Sequence, residues 1–284
     1  MYWTPRRQQF RTLLAGSECV YPGSVFDPLS ARMANDLGFE VAMFAGSIAS
    51  LTVLGAPDLI VLNQAEFAAQ AYRVCRAADI PLIVDADHGY GNALNVRRTV
   101  EELESSGVSA MTIEDTVLPK RHGSSATEFV SIEEGVGKMQ AALEARQDPD
   151  LVIAGRTSAL ASNGLDDTIK RLNAYEASGV DMLMLVGIKQ RDDLEAIADS
   201  VSIPLMLGGV SAELMDRQYL AGLGVRICLQ GHQPFMAAIQ ATYATLKALR
   251  DGVPTSELTG LPEKALQRQL MREDDYQQWV DNYL

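Results

Sequence analysis

Residues 81–114 read PLIVDADHGYGNALNVRRTVEELESSGVSAMTIE. Leu82–Val84 is a short apolar run. Val96–Ser105 carries apolar residues at helical spacing and stops before Gly107, and Ala110–Ile113 is a second apolar run. The stretch is therefore a strand, a helix and another strand. The runs are nearly continuous in apolar character, as a parallel sheet covered on both faces requires.

The same cadence extends in both directions. Apolar runs fall at Cys19–Val25, Val41–Phe44, Leu82–Val84, Ala110–Ile113, Leu151–Ala154, Met182–Val186, Leu205–Leu207 and Val225–Leu229. Helical patterns fill the intervals: Ser30–Leu37, Gln64–Ala77, Val96–Ser105, Ser131–Ala145, Asp166–Ala177 and Gln190–Asp199. Asn63 and Glu66 have the spacing of a capping box, while Gly135 and Gly137 weaken the fourth of these helices. Gly38, Gly107, Gly179 and Gly224 each separate a helical stretch from the next strand, the place where a left-handed residue ends a helix.

Eight alternations predict a (β/α)8 TIM-type barrel. A doubly wound open sheet is the competing architecture, but no G-x-G-x-x-G follows the first strand. The expected organisation is one domain over 1–284, with a barrel core at about 19–250. A polar helix bearing Arg6, Arg7 and Arg11 precedes it. After the linker Asp251–Pro254, a helical tail over 253–284 carries Trp279, Val280, Tyr283 and Leu284. That apolar face must pack on the barrel's flank or on a neighbouring subunit, and a helix after a hinge is suited to exchange between subunits.

The chain has 284 residues, 47% of them hydrophobic, and 24 basic against 37 acidic side chains, a net charge of −13. This composition excludes a disordered chain and disfavours nucleic-acid or anionic-membrane binding. The three cysteines, Cys19, Cys75 and Cys228, are far apart and form no C-x-x-C pair. They suggest neither a disulfide framework nor a zinc site. The N-terminal stretch reads as a polar helix and not as a secretory leader, and no run of about eighteen apolar residues predicts a membrane span. A reducing, cytoplasmic location is expected.

Barrel chemistry is done at the C-terminal ends of the strands. There the sequence places Gly46-Ser47 after strand two, with Asp58 in the following loop. Asp85 and Asp87 close strand three, Glu114-Asp115 strand four and Arg156 strand five, and Gly231-His232 follows strand eight. Taken singly, a D-x-D is usually a solvated turn, Asp58 beside Pro57 a loop residue, Arg156 an ion-pair partner and His232 a helix cap. Their joint placement at one barrel mouth is what makes them a site. Four carboxylates held close together need neutralising, and an oxygen-only donor set suits Mg2+, with Mn2+ possible, over Zn2+. Mg2+ retains waters, so one carboxylate would bind directly and the others would hold its waters. Arg156 would grip a substrate carboxylate with its fork.

These residues resemble the isocitrate lyase / phosphoenolpyruvate mutase superfamily. The similarity runs from about Ser24 to Ala248 and rests on SVFDPLSARMANDLGFEVAMFAGSIAS, DADHGYGN, TIEDTVLPK, EEGVGKMQAALEAR, VIAGRTSA and LGVRICLQGH. Within it, DADHGYGNALNVRRTVEELE and EEGVGKMQAALEARQDP are most similar to the oxaloacetate decarboxylase branch. The resemblance implies Asp85 as the direct Mg2+ ligand, with Asp87, Glu114 and Asp58 holding metal-bound waters or gating the site. It implies that Gly46 and Ser47 receive the substrate's C1 carboxylate, with Arg156 at the same end or at the developing enolate. His232 would lie near the leaving carboxylate.

The implied reaction is Mg2+-dependent decarboxylation of oxaloacetate, or a close 3-carboxy-2-keto acid, to pyruvate and CO2 through a metal-stabilised enolate. Tyr90 and His88 are possible proton donors. The lyases of the superfamily carry a cysteine after the equivalent of Pro119, and the mutases an asparagine. Pro119–Ser124 has neither. Where the decarboxylases carry a T-Y-G-N turn after strand seven, this chain has Leu207-Gly208-Gly209-Val210-Ser211. The alternatives are another C–C lyase acting on a 2-methylisocitrate-like substrate, a phosphonomutase, or a barrel that binds dicarboxylates without turnover. The resemblance also implies a homotetramer built from helix-swapped dimers, and residues 116–130 have the composition of a mobile lid.

Overall fold

The computed structural model describes residues 2–124 and 126–284. A first helix, α1 (Thr4–Ala15), leads into β1 (Gly23–Ser24), α2 (Pro28–Asp36), β2 (Ala42–Phe44), α3 (Gly46–Ala49), α4 (Gln64–Cys75) and β3 (Leu82–Asp85). The chain continues through α5 (Ala93–Ser106), β4 (Ala110–Glu114), α6 (Ile132–Ala145), β5 (Val152–Thr157), α7 (Leu160–Asn163), α8 (Leu165–Ala177) and β6 (Met182–Val186). It ends with α9 (Arg191–Ser200), β7 (Leu205–Gly208), α10 (Arg217–Gly222), β8 (Val225–Cys228), α11 (Gln233–Arg250), α12 (Lys264–Met271) and α13 (Glu273–Tyr283).

The eight strands form one parallel sheet in sequential order. The ring closes through Val20, whose N–H donates to Arg226 O at 2.9 Å and whose carbonyl accepts from Cys228 N at 3.0 Å. The expected (β/α)8 barrel is thus the observed fold, and the open sheet is excluded. The first expected strand, Cys19–Val25, is shorter than its apolar run. Pro22 lacks an N–H, so pairing splits into the Val20 bridge and the two residues of β1.

Strand side chains are buried on both faces of the sheet, Ile83, Val84, Met111, Ile153, Leu183 and Ile227 among them, and Phe44 stacks on Phe67 of α4. The helices are fixed by their own signals. Asn63 and Glu66 form the expected capping box at α4, and Asn92 caps α5. Gly107 ends α5 at φ 96°, a left-handed conformation that favours glycine. The glycine-bearing helix α6 forms despite Gly135 and Gly137.

At the floor, buried Arg7 of α1 donates to Asp148 at 2.7 Å and to Val108 O at 3.0 Å, pinning α1 beneath the barrel. The tail returns to α2, where Arg272 pairs with Asp36 at 2.7 Å and Arg32 donates to Leu270 O at 2.8 Å. Among the described residues no helix is long and apolar enough to cross a membrane.

Candidate active site

The strand ends on one face of the barrel bring acids and one arginine together. Asp85 is the last residue of β3 and Glu114 the last of β4, while Arg156 stands opposite Glu114 in the β4–β5 register. Arg156 Nη1 donates to both oxygens of Asp85, each at 2.6 Å, and Nη2 lies 3.4 Å from Glu114 Oε2. Asp85 Oδ1 also accepts from Asp87 N at 3.1 Å and from the Thr112 hydroxyl at 3.3 Å. The Glu114 N–H donates to Asp87 O at 2.8 Å, which ties the two strand ends.

Asp87 follows the strand in a left-handed conformation, φ 47°. That turn directs its carboxylate toward Gly46, where an added Cβ would lie 2.8 Å from Asp87 Oδ1. Gly46 is thus required for the close approach of β2's end to Asp87. Gly46 and Ser47 begin the short α3, which continues as one π-helical turn, Ser50–Leu54, before the loop carrying Asp58. Asp58 stands at the open rim.

The electrostatics agree with this convergence. Burial, then Asp85 and Glu114, push the Asp87 carboxyl well above the usual range. Burial and Asp85 raise Glu114 as well, with Arg156 opposing them. Burial and Asp85 raise Asp58 in the same way, and Arg156 draws it down. Burial works to discharge Arg156, but Asp85, Glu114 and Asp87 outweigh it and keep the guanidinium charged. One arginine therefore faces four acids, a surplus of negative charge that a hard cation would relieve.

The donors present are all oxygens, which fits Mg2+ or Mn2+. Among the described residues no three His, Cys, Asp or Glu side chains converge to enclose a metal by themselves. An ion here would complete its shell with water or substrate.

His232 stands just before α11 and makes no side-chain cap to it. Its Nδ1 lies 2.9 Å from Ser24 Oγ, and burial favours the neutral imidazole, with Asp85 pulling the other way. Of the two expected proton donors, Tyr90 belongs with the acids. Burial, Asp87 and Asp85 all hold its phenol protonated, and among the described residues its hydroxyl has no partner. His88 turns to the other side and lines a separate cavity with Lys138. Asp115, adjacent to Glu114, also points away, accepting from Arg171 at 3.0 Å and Tyr175 at 2.7 Å.

Two contributors escaped sequence reasoning. Thr112 is a lone hydroxyl within the apolar strand β4, which was its available signal. Ser24, the partner of His232, had none. Within 116–130, Thr116 and Phe129 form an antiparallel bridge, a hairpin stem in which Val117 N donates to Glu128 O at 2.8 Å. Ser125 of the expected lid lies outside the described residues.

A closed parallel barrel with an acid cluster and an arginine at its C-terminal mouth defines an α/β-barrel enzyme acting on a small anion. The family model of phosphoenolpyruvate phosphomutase matches residues 10–250, and the chain belongs to that family. It is 55% identical over 273 residues to an oxaloacetate decarboxylase of Bradyrhizobium diazoefficiens, covering 96% of this chain and 95% of that protein. An oxaloacetate acetylhydrolase solved with the inhibitor 3,3-difluorooxalacetate superposes with a TM-score of 0.85 at 30% identity, covering 98% of this chain and 97% of that one. A phosphonopyruvate hydrolase solved with oxalate and Mg2+ gives 0.86 at 28% identity, covering 98% and 99%.

Proposed function

We propose that this enzyme decarboxylates oxaloacetate, or a close 3-carboxy-2-keto acid, to pyruvate and CO2. The observation that carries the reading is Arg156 bridging Asp85 and Glu114 inside an all-oxygen acid cluster, in a chain 55% identical to an oxaloacetate decarboxylase. Asp85 would hold a Mg2+ or Mn2+ ion directly, with Asp87, Glu114 and Asp58 around its waters, and the ion would supply Lewis-acid polarisation of the keto group.

The protein's own residues do the rest. Gly46 and Ser47 receive the C1 carboxylate at the start of α3. Loss of the C4 carboxylate as CO2 leaves its electron pair on C3, shared with the C2 oxygen as an enolate. Arg156 stabilises that charge from a fixed position. His232, held by Ser24 and kept neutral, offers the departing carboxylate an uncharged contact, so its negative charge is not anchored there. Tyr90 keeps its proton and serves as a hydrogen-bond donor beside the acids. C3 then takes a proton to give pyruvate. The absence of a cysteine in 119–124 weighs against a superfamily C–C lyase.

The test is pyruvate formation from oxaloacetate and Mg2+, coupled to lactate dehydrogenase and NADH. The expected rate is far above that of Mg2+ alone, and equality with the metal-only rate would sink the reading. Turnover of 2-methylisocitrate would move it to a lyase, and oxalate binding without turnover to a binding protein.

A homotetramer of helix-swapped dimers belongs to the same proposal. It is supported by α11, none of whose residues is buried. It is also supported by an apolar cavity of about 570 Å3 at the base of α11, lined by Met33, Leu37 and Phe39. The three free, buried thiols support a cytoplasmic setting.

A further inference from the structure

On the α5–α6 side of the hairpin stem lies a second cavity, about 380 Å3 in volume. Asp85, Asp87, Glu114 and Arg156 do not line it. Its walls include His88, Asn92, Arg121, Glu134 and Lys138. Two helices of 14 residues open onto it, α5 at its cap Asn92 and α6 at its cap Ser131. Each presents the positive end of its dipole.

Lys138 is the independent sign of a ligand. Its side chain is only 2% exposed, yet among the described residues its ammonium has no hydrogen bond and no ion pair, and it faces this cavity. Glu134, Glu114 and Asp115 act on it through space, and among the described residues none of them forms an ion pair with it. Asp115 is held by Arg171 and Tyr175, and Glu114 faces Arg156. Glu128 accepts from Ser124 at 2.7 Å and pairs with Arg121 at 3.5 Å. Glu134 is one turn away and exposed. His88 is 5% exposed, and its Nδ1 has no partner either. A buried ammonium with no direct ion pair is costly, and two helix N-termini stand beside it, that of α6 carrying Glu133 and Glu134 in its first turn.

We propose that this cavity binds a small oxyanion, of the size of bicarbonate or inorganic phosphate, through the Lys138 ammonium, the His88 ring and the N-termini of α5 and α6. The site is separate from the metal cluster and does not depend on the decarboxylase reading. The test is calorimetric titration of the metal-stripped protein with inorganic phosphate and, separately, with bicarbonate. Which of the two binds more tightly identifies the source of the anion.

One anion per chain is expected. Lys138→Met, which keeps the stem's volume, should weaken binding about tenfold or more, and Glu134→Gln should tighten it about threefold by removing a like charge. Asp85→Ala should leave it unchanged. Absence of binding by the wild type up to about 50 mM overturns the proposal. So does binding that Asp85→Ala abolishes and Lys138→Met does not. If Lys138→Met fails to fold, unchanged affinity in Glu134→Gln overturns it.

Discussion

Asp85 is bound more fully than any other acid of the mouth. It takes both contacts of Arg156 Nη1, the Thr112 hydroxyl and the Asp87 N–H. Such a carboxylate is fixed in place before any ligand arrives, which is the preorganisation a metal site needs. Asp85→Ala is expected to abolish saturable Mn2+ binding, read by electron paramagnetic resonance, and to lower decarboxylation by about a hundredfold or more. Arg156 keeps Glu114 as a partner in that variant, so its melting temperature should change little.

His88 gives a prediction of a different kind. Burial first and the Lys138 charge second lower its pKa from 6.5 to about 4. The folded protein keeps the ring neutral where the unfolded chain takes up a proton. Its contribution to stability is therefore full above pH 6.5 and is lost as pH falls through the window to about 4. Thermal melts of His88→Gln should fall less steeply across that window than those of the wild type.

At the scale of elements, α6 shows how two glycines in one helix differ. An added Cβ at Gly135 would lie 2.5 Å from the Tyr175 hydroxyl, which is itself held by Asp115. At Gly137 it would meet nothing within 4 Å. Gly135 lets α6 pack against α8, whereas Gly137 only weakens the helix. Gly135→Ala is expected to destabilise by about 1–3 kcal/mol through overpacking. Gly137→Ala should stabilise by up to about 1 kcal/mol. Chemical denaturation of the pair measures both, and equal effects would contradict this packing account. The same contact keeps Asp115 turned toward α8 and out of the mouth.

At the scale of the whole molecule, α11 stands apart from the other long helices. Met236, Ile239, Tyr243, Leu246 and Leu249 are each at least 42% exposed, while helices such as α4, α5 and α6 each bury an apolar face. An unpartnered apolar face of this length points to an interface. Tyr243→Asp together with Leu246→Asp is expected to shift the protein from the proposed tetramer toward monomer in light scattering after size exclusion. An unchanged mass would exclude the swapped assembly.

The barrel and most of its mouth were legible because of how parallel strands are buried. Covered on both faces, strands such as LIVD and AMTIE are apolar until they reach the C-terminal end, so the first charged residues there mark the site. Asp85, Glu114 and Arg156 could be read this way from the chain alone, and capping boxes and glycines placed the helices between them. The directions taken just past each strand end could not be read. Asp87 reaches the acids only through its left-handed turn, and His88, one residue on, faces another cavity. Asp115 leaves the mouth because Arg171 and Tyr175 hold it from α8. Local pattern determines which residues are buried or capped, since periodicity and hydrogen-bond chemistry act over a few residues. Which neighbour a side chain faces depends on elements dozens of residues away. The sequence alone therefore determined a (β/α)8 barrel with an acidic mouth, and the tertiary structure decided which acids share Arg156 and where Lys138 opens a second cavity.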